Sequence, residues 1–115
     1  LFIVTVLTNC NRINLQPYSA YRMRIISGKY KGRKIVPPSN MKARPTTDFA
    51  KEGLFDILSH RIDLHGLNVL DLFSGTGFLS YEFASREAAS VTAVELNPTH
   101  AAFIRKTAKE LQMPL

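Results

Sequence analysis

The sequence predicts an α/β protein, in which an N-terminal β-hairpin precedes a partial Rossmann-like sheet. The main observation is the apolar run Val69–Ser74, which leads into Gly75-Thr76-Gly77 and then into an amphipathic segment. An apolar run that ends in glycines and opens into a helix is typical of a strand, a tight loop and a helix. A second apolar run, Ser90–Glu95, is followed by Asn97-Pro98, a strong helix start.

The chain before these runs also divides into elements. A glycine-bounded loop at 28–32 joins two short predicted strands, and a threonine can cap the helix that begins near Asp48. In chain order the predicted elements are strands 23–27 and 33–36, helix 48–59, strand 67–73, helix 77–85, strand 90–95 and a helix from 97 to about 112. The first helix is expected to bury Ala50, Leu54, Ile57 and Leu58. The last is expected to bury Ala101, Ile104, Ala108 and Leu111 and to leave Arg105, Lys106 and Lys109 as a solvated face.

Glu95 completes a candidate cofactor site. It ends the second strand twenty residues after Gly75, an offset that suits an acid accepting hydrogen bonds from a ribose diol. Ser80 replaces the third glycine of a dinucleotide fingerprint, and no lysine follows Gly77, so neither pyrophosphate nor triphosphate is favoured. A purely structural turn is the alternative.

Three segments together resemble a known family. The pattern Asp71-x-x-x-Gly75-x-Gly77 resembles the first motif of S-adenosylmethionine-dependent methyltransferases. With Met23–Lys34 and Arg44–Leu58 before it, the chain resembles the RsmD family from Met23 to about Met113. The resemblance implies a seven-stranded methyltransferase fold and methylation of the exocyclic amine of a guanine in small-subunit ribosomal RNA. One departure is Phe49, where the family commonly carries Arg.

The resemblance implies S-adenosylmethionine as cofactor. Asp71 is expected to offer a carboxylate to its ammonium group, Gly77 to allow close backbone approach, and Glu95 to bind the ribose. The other candidate cofactor residues are Phe73, Ser74, Gly75, Thr76, Asn97, Arg44 and Thr46.

No catalytic residue is predicted in this chain. The family's Asp/Asn-Pro-Pro-Tyr/Phe motif, which holds the acceptor amine, has no counterpart, because Pro37-Pro38 stands between Val36 and Ser39. The chain is therefore expected to be an N-terminal fragment that is inactive by itself, with the motif beyond Leu115.

Charge favours a polyanionic partner. The net charge is +6, and no acid precedes Asp48. A block of one sign with an embedded aromatic residue suits nucleic acid, although Lys and Arg also protect the edges of hairpins. The candidate RNA-binding residues are Arg24, Lys29, Tyr30, Lys31, Arg33 and Lys34.

The remaining expectations concern organisation. Residues 1–22 are expected to be a non-native or disordered extension, with a strand in Phe2–Leu7 as the alternative, before a hairpin at 23–43 and the methyltransferase part at 44–115. A single cysteine, Cys10, excludes an intrachain disulfide, and the histidine spacing predicts no metal site. The apolar start is too short for a membrane span and lacks the features of a signal peptide. We therefore expect a cytoplasmic protein that is monomeric at full length and acts on ribosomal RNA or the small subunit. The alternatives are a methyltransferase on DNA adenine or protein glutamine, and a non-catalytic nucleic-acid-binding module.

Overall fold

The structure, a computed structural model, describes residues 2–4, 23–41 and 47–115. These residues form β1 (Phe2–Val4), β2 (Met23–Arg24), β3 (Lys34–Ile35), α1 (Asp48–Arg61), β4 (Asn68–Leu72), α2 (Phe78–Ser85), β5 (Ser90–Val94) and α3 (Pro98–Glu110). The predicted hairpin, three helices and two sheet strands are all present, with bounds that differ by a few residues. The α/β architecture with an N-terminal hairpin is thus confirmed.

One three-stranded sheet organises the fold. Its order is β1-β4-β5, and both pairings are parallel. The register of β4 on β5 runs from Asn68 opposite Ser90 to Leu72 opposite Val94. Since each helix after a parallel strand returns antiparallel to it, the loops after β4 and β5 lie at the same edge of the sheet. This edge positions the candidate site.

The strand β1 differs from the preferred expectation for the N-terminal extension. Phe2 lies opposite Val69 and Val4 opposite Asp71, so the segment pairs with the edge of β4 that faces away from β5. The apolar, β-branched run favours a strand, and it satisfies backbone groups that would otherwise form a free edge. For these three residues the strand alternative applies. The rest of the extension lies outside the described residues.

The helix α1 begins with a side-chain cap and buries an unexpected face. The Thr47 hydroxyl accepts a hydrogen bond from the Ala50 backbone N–H at 3.2 Å, as expected for an N-cap. The buried residues of the helix are Lys51 and Phe55, whereas Ala50 and Ile57 are exposed. The predicted face is thus confirmed in part: Leu54 and Leu58 are half-buried against the core, but the buried face is shifted toward Lys51 and Phe55. The reason is the hairpin, because the Lys51 ammonium donates to the Arg24 carbonyl at 2.8 Å.

The core lies between the hairpin, α1 and the sheet. Phe55 of α1 meets Phe83 of α2 edge to face, with ring centroids 5.0 Å apart, a favoured aromatic geometry. Ile104 and Ala108 of α3 are buried as predicted. No helix in the described part of the chain is both long and apolar enough to cross a membrane.

Candidate functional site

A loop of unusual backbone geometry joins β4 to α2. Phe73, Gly75 and Gly77 have φ angles of 60°, 57° and 83°, in the left-handed region that glycine tolerates best. The Gly77 N–H donates to the Ser74 carbonyl at 2.8 Å, which closes a tight turn. Hereafter residues 73–77 are called the glycine loop. Because every second residue of the loop is left-handed, the backbone leaves β4 sharply and begins α2 at once.

Glu95 joins the glycine loop to the start of α3. One carboxylate oxygen accepts from the Gly75 N–H at 2.7 Å and the other from the Asn97 N–H at 2.9 Å. Burial raises the pKa of Glu95, but the N–H groups of Asn97 and Gly75 together outweigh it, so the pKa is lowered. Glu95 is half-buried and is therefore a charged, partly accessible acceptor at the ends of two neighbouring strands.

Asn97 has the structural role that its sequence position predicts. Its side-chain oxygen accepts from the Thr99 and His100 N–H groups at 2.9 Å and 3.4 Å. It thereby caps α3, with Pro98 at the first helical position. Through the Asn97 N–H, the capped helix also holds Glu95 in place.

Asp71 lies near the end of β4, as expected, but its carboxylate is buried. It is 3% exposed, and its carboxylate accepts from the Ser80 hydroxyl at 2.7 Å. Burial raises the pKa of Asp71, partly offset by hydrogen bonds from the Ser80 side chain and backbone and from Ser74. A direct contact with a ligand ammonium group would need an exposed carboxylate. Asp71 instead supports the first turn of α2 from within.

Two further loop side chains turn inward. The Ser74 hydroxyl lies 2.9 Å from the Asp71 carbonyl and 3.2 Å from the Val94 carbonyl, so it ties β4 to β5. The Thr76 hydroxyl contacts the Met23 sulfur at 3.4 Å. Both residues are about 4% exposed, so within the loop only Phe73 is exposed and only Gly75 is half-buried.

Gly77 is required for a reason other than the predicted one. A Cβ there would lie 2.8 Å from the Tyr81 ring and hydroxyl and 3.0 Å from an Ile104 side-chain atom. It would point into the protein, whereas we expected it to obstruct the ligand. The positive φ and the Tyr81 ring behind the loop together explain the glycine.

Two large apolar side chains are exposed beside Glu95. Phe73 is 85% exposed and Leu96 is 94% exposed. Phe73 was predicted as a site residue, but Leu96 was missed. The signal that could have found it is its position, directly after the acid that ends a strand. Isolated exposed apolar residues are common, but two beside a charged acceptor form an apolar rim.

The hairpin lies along α2 from one end of the sheet to the other. Met23 touches the glycine loop through Thr76, whereas the Lys29 N–H donates to the Ser85 carbonyl at 2.8 Å. Ser85 ends α2, at the edge of the sheet opposite the glycine loop. The turn of the hairpin is therefore displaced from the loop by the length of α2, about 12 Å for 8 residues.

The predicted RNA-binding residues divide into two groups. Lys29, Lys31, Arg33 and Lys34 are exposed. Arg24 forms an ion pair with Asp48 at 2.8 Å, and Tyr30 is half-buried with its hydroxyl 3.2 Å from the Gln112 carbonyl oxygen. Tyr30 therefore ties the hairpin to the turn that follows α3.

The α3 cations, expected to form only a solvated face, include one residue that faces the hairpin. A groove of about 130 Å³ is lined by Lys34 and Lys106 together with Ile35, Val36, Phe103, Thr107, Glu110 and Leu111.

The predicted cofactor residues Arg44 and Thr46 lie outside the described residues. Among the residues that the structure describes, no cluster of potential metal ligands occurs.

Comparisons with known proteins agree with this arrangement. The family model described as "Conserved hypothetical protein 95" matches residues 23–115. Ribosomal RNA small subunit methyltransferase D of Haemophilus influenzae is 38% identical over 96 residues, which cover 84% of this chain and 49% of that protein. The protein of the same name from Escherichia coli K12 is 41% identical over 76 residues, 66% of this chain and 37% of that protein.

A solved structure extends the comparison to three dimensions. The structure titled "Putative methyltransferase yhhF from Escherichia coli" matches with a TM-score of 0.67 and 32% identity. The match covers 80% of this chain and 48% of that one. The chain thus spans less than half the length of these relatives.

The fold and the site define a class. A parallel sheet with a glycine loop after one strand and an acid at the end of the next is that of the Rossmann-like methyltransferases. Within this class, the chain belongs to the RsmD family, whose model matches it from residue 23 to residue 115.

Proposed function

We propose that this chain carries the cofactor-binding part of an S-adenosylmethionine-dependent methyltransferase that acts on the exocyclic amine of a guanine in small-subunit ribosomal RNA. The observation that carries the proposal is the Glu95 carboxylate, fixed at the ends of two strands with a lowered pKa. The names of the relatives support ribosomal RNA as the substrate. Such a substrate also favours a cytoplasmic enzyme.

The residues at the glycine loop fit this cofactor. A carboxylate offers about four acceptor positions, and Glu95 uses two of them for Gly75 and Asn97. The remaining positions suit the two hydroxyl groups of a ribose. The exposed side chains of Phe73 and Leu96 offer apolar surface for the adenine ring, which would cover them. The backbone of the glycine loop would face the methionine part.

The reaction breaks a sulfonium–methyl bond, forms a nitrogen–methyl bond and releases one proton from the amine; the cofactor supplies an activated methyl group. The residues of this chain contribute binding and orientation. Holding donor and acceptor in line accounts for much of such a rate enhancement. The chain contains no polar-Pro-Pro-aromatic motif, so we expect the chain of residues 1–115 to bind the cofactor without transferring its methyl group.

The exposed cations of the hairpin would bind the phosphates of the RNA. Lys29, Lys31, Arg33 and Lys34 lie on one element without a described ion pair, and Lys106 extends this surface across the groove beside Lys34. Phosphate contacts position a protein on nucleic acid. The hairpin would therefore hold the RNA, and the glycine loop would hold the methyl donor.

The ribose role of Glu95 can be separated from its support of the loop. Glu95→Ala removes both roles, so affinity should be compared for S-adenosylhomocysteine and its 2′-deoxy analogue by calorimetric titration. In the unchanged protein, the missing hydroxyl should cost about 1.5–3 kcal/mol, the range for a hydrogen bond to a charged group. In Glu95→Ala the two ligands should bind alike.

Two outcomes would contradict the proposal. If the unchanged protein binds neither ligand, the cofactor assignment fails and the nucleic-acid-binding module becomes the better interpretation. If both ligands bind but the missing hydroxyl costs the same with and without Glu95, another group holds the ribose. Glu87→Ala is a suitable control, because Glu87 lies in the turn after α2, at the opposite edge of the sheet.

A further inference from the structure

The turn of the basic hairpin is attached to α2 by buried polar groups. The Ile26 N–H donates to the Glu82 carboxylate at 2.7 Å. The Tyr30 N–H donates to the Ser85 hydroxyl at 3.0 Å, and that hydroxyl donates to the Ser27 carbonyl at 2.5 Å. Glu82 is 1% exposed and Ser85 is fully buried. A helix that only covered the sheet would have no need of a carboxylate and a hydroxyl at these positions.

The charge of Glu82 is compensated locally. Arg86, one turn further along α2, forms an ion pair with its carboxylate and is itself 13% exposed. The Arg86 guanidinium also stacks on the Phe55 ring at 4.1 Å. A buried ion pair is seldom a net source of stability, because desolvation offsets its attraction. The buried pair of Glu82 and Arg86 is therefore better explained by the orientation that it gives to the hairpin on α2.

The other end of the hairpin is attached near the glycine loop. The Lys51 ammonium, 2% exposed, donates to the Arg24 carbonyl at 2.8 Å and lies 3.3 Å from the Asp48 carboxylate. Met23 meets Thr76 of the loop itself. The hairpin is thus held at both ends of α2, the helix that begins at the glycine loop.

We propose that docking on α2 sets the distance between the RNA-binding cations of the hairpin and the methyl-donor loop, with Glu82 and Ser85 as positioning residues. The proposal rests on the proposed function. A loosely attached hairpin would still attract phosphates but would not present one nucleotide to the donor. An error of about 1 Å at a remote position can reduce a reaction rate about a hundredfold.

Replacing Gly28 by alanine tests the docking of the hairpin directly, because the substitution alters no charge. A Cβ at Gly28 would lie 2.0 Å from the Ser85 carbonyl oxygen, and its φ is +88°. Gly32, on the other side of the same turn, has a φ of +82° but nothing within 4 Å of a Cβ. Gly28→Ala and Gly32→Ala therefore share the backbone strain, and only Gly28→Ala pushes the hairpin from α2.

The experiment compares both variants of the full-length protein by single-turnover methyl transfer to small-subunit ribosomal RNA at saturating RNA. Gly28→Ala should lower the rate about tenfold or more relative to Gly32→Ala. Affinity for S-adenosylhomocysteine and for the RNA should stay within about threefold of the Gly32→Ala values. The rate of methyl transfer would then fall while the protein still binds both S-adenosylhomocysteine and the RNA.

Equal rates for the two variants would overturn the proposal. So would an equal loss of cofactor affinity and rate in Gly28→Ala, since that pattern indicates general destabilisation. If Gly28→Ala does not fold, Ser85→Ala replaces it, with Ser59→Ala as control, because the Ser59 hydroxyl bonds only within its own helix. If the full-length protein without substitutions transfers no methyl group to the RNA, the proposed function fails, and this inference fails with it.

Discussion

Most polar side chains in and beside the glycine loop support the backbone more than they contact solvent. Asp71, Ser74 and Thr76 are buried, and Glu95 uses part of its carboxylate to hold the Gly75 N–H. The accessible groups at this edge of the sheet are consequently Gly75, Glu95 and the exposed rim of Phe73 and Leu96. We expect substitutions of the buried residues to act through stability first and through ligand affinity second.

Gly77→Ala tests this view of the loop. Its Cβ would meet Tyr81 at 2.8 Å, whereas Gly66, with a φ of +75°, has nothing within 4 Å of a Cβ. Both substitutions place a side chain in the left-handed region, so their difference reports the contact. Gly77→Ala should lower the free energy of unfolding by about 1–3 kcal/mol more than Gly66→Ala, the usual cost of overpacking. Denaturant unfolding measures it, and equal losses would show that Tyr81 yields readily.

The sequence was sufficient to predict the positions of residues whose role depends on the order of neighbouring elements along the chain. Glu95 and Asn97 follow a strand and precede a helix, so their positions at the edge of the sheet could be predicted. The burial of Asp71 and Thr76 could not, because it depends on Ser80 and on Met23, which lies 53 residues away. Lys51 is a similar case, since a lysine on a helix is normally solvated and only the docked hairpin buries it.

At the scale of elements, the hairpin and α3 each carry exposed cations. Lys29 and Lys31 lie in the turn, and Lys34 and Lys106 line the same groove, where Glu110 pairs with Lys106 at 3.9 Å. Arg105 and Lys109 are exposed on the same helix but do not line that groove. The structure therefore supplies two pairs of cations with equal charge and different location.

Neutralising the pair Lys29 and Lys31, and separately the pair Arg105 and Lys109, should show whether the cations of the hairpin bind phosphates or only protect the edge of its strands. Replacing Lys29 and Lys31 by Gln should weaken RNA binding and reduce the slope of log affinity against log salt by roughly 0.7 to 0.9 per lost phosphate contact. Replacing Arg105 and Lys109 should leave the slope nearly unchanged. Titrations of ribosomal RNA at several salt concentrations give both slopes. Equal slopes in all three proteins would favour edge protection.

At the scale of the whole molecule, β1 from the start of the chain covers one edge of the described sheet. Pairing of β1 with β4 covers an edge that would otherwise expose backbone groups of a buried strand. A β-prone apolar run was visible in the sequence, but whether it belonged to the fold could not be predicted, because its partner lies more than 60 residues away.

Removing residues 1–22 should therefore destabilise the protein. A loss of 1 kcal/mol corresponds to about 4–8 °C in Tm for a domain of this size, so we expect a decrease of at least several degrees by thermal unfolding. Affinity for S-adenosylhomocysteine should change little, because β1 lies away from β5 and from Glu95. An unchanged Tm for a chain beginning at Met23 would show that β1 contributes nothing to the fold.

The attachment of the hairpin to α2 also constrains the order of folding during synthesis. Tyr30 and its partner Ser85 are 55 residues apart, so the hairpin leaves the ribosome long before its docking site exists. At typical rates of translation the delay is roughly 3 to 11 s. Contacts of such separation form late, after local helices and turns. For that interval the nascent chain presents an unanchored cationic segment beside the ribosome, a particle made largely of the class of polymer that the segment is proposed to bind.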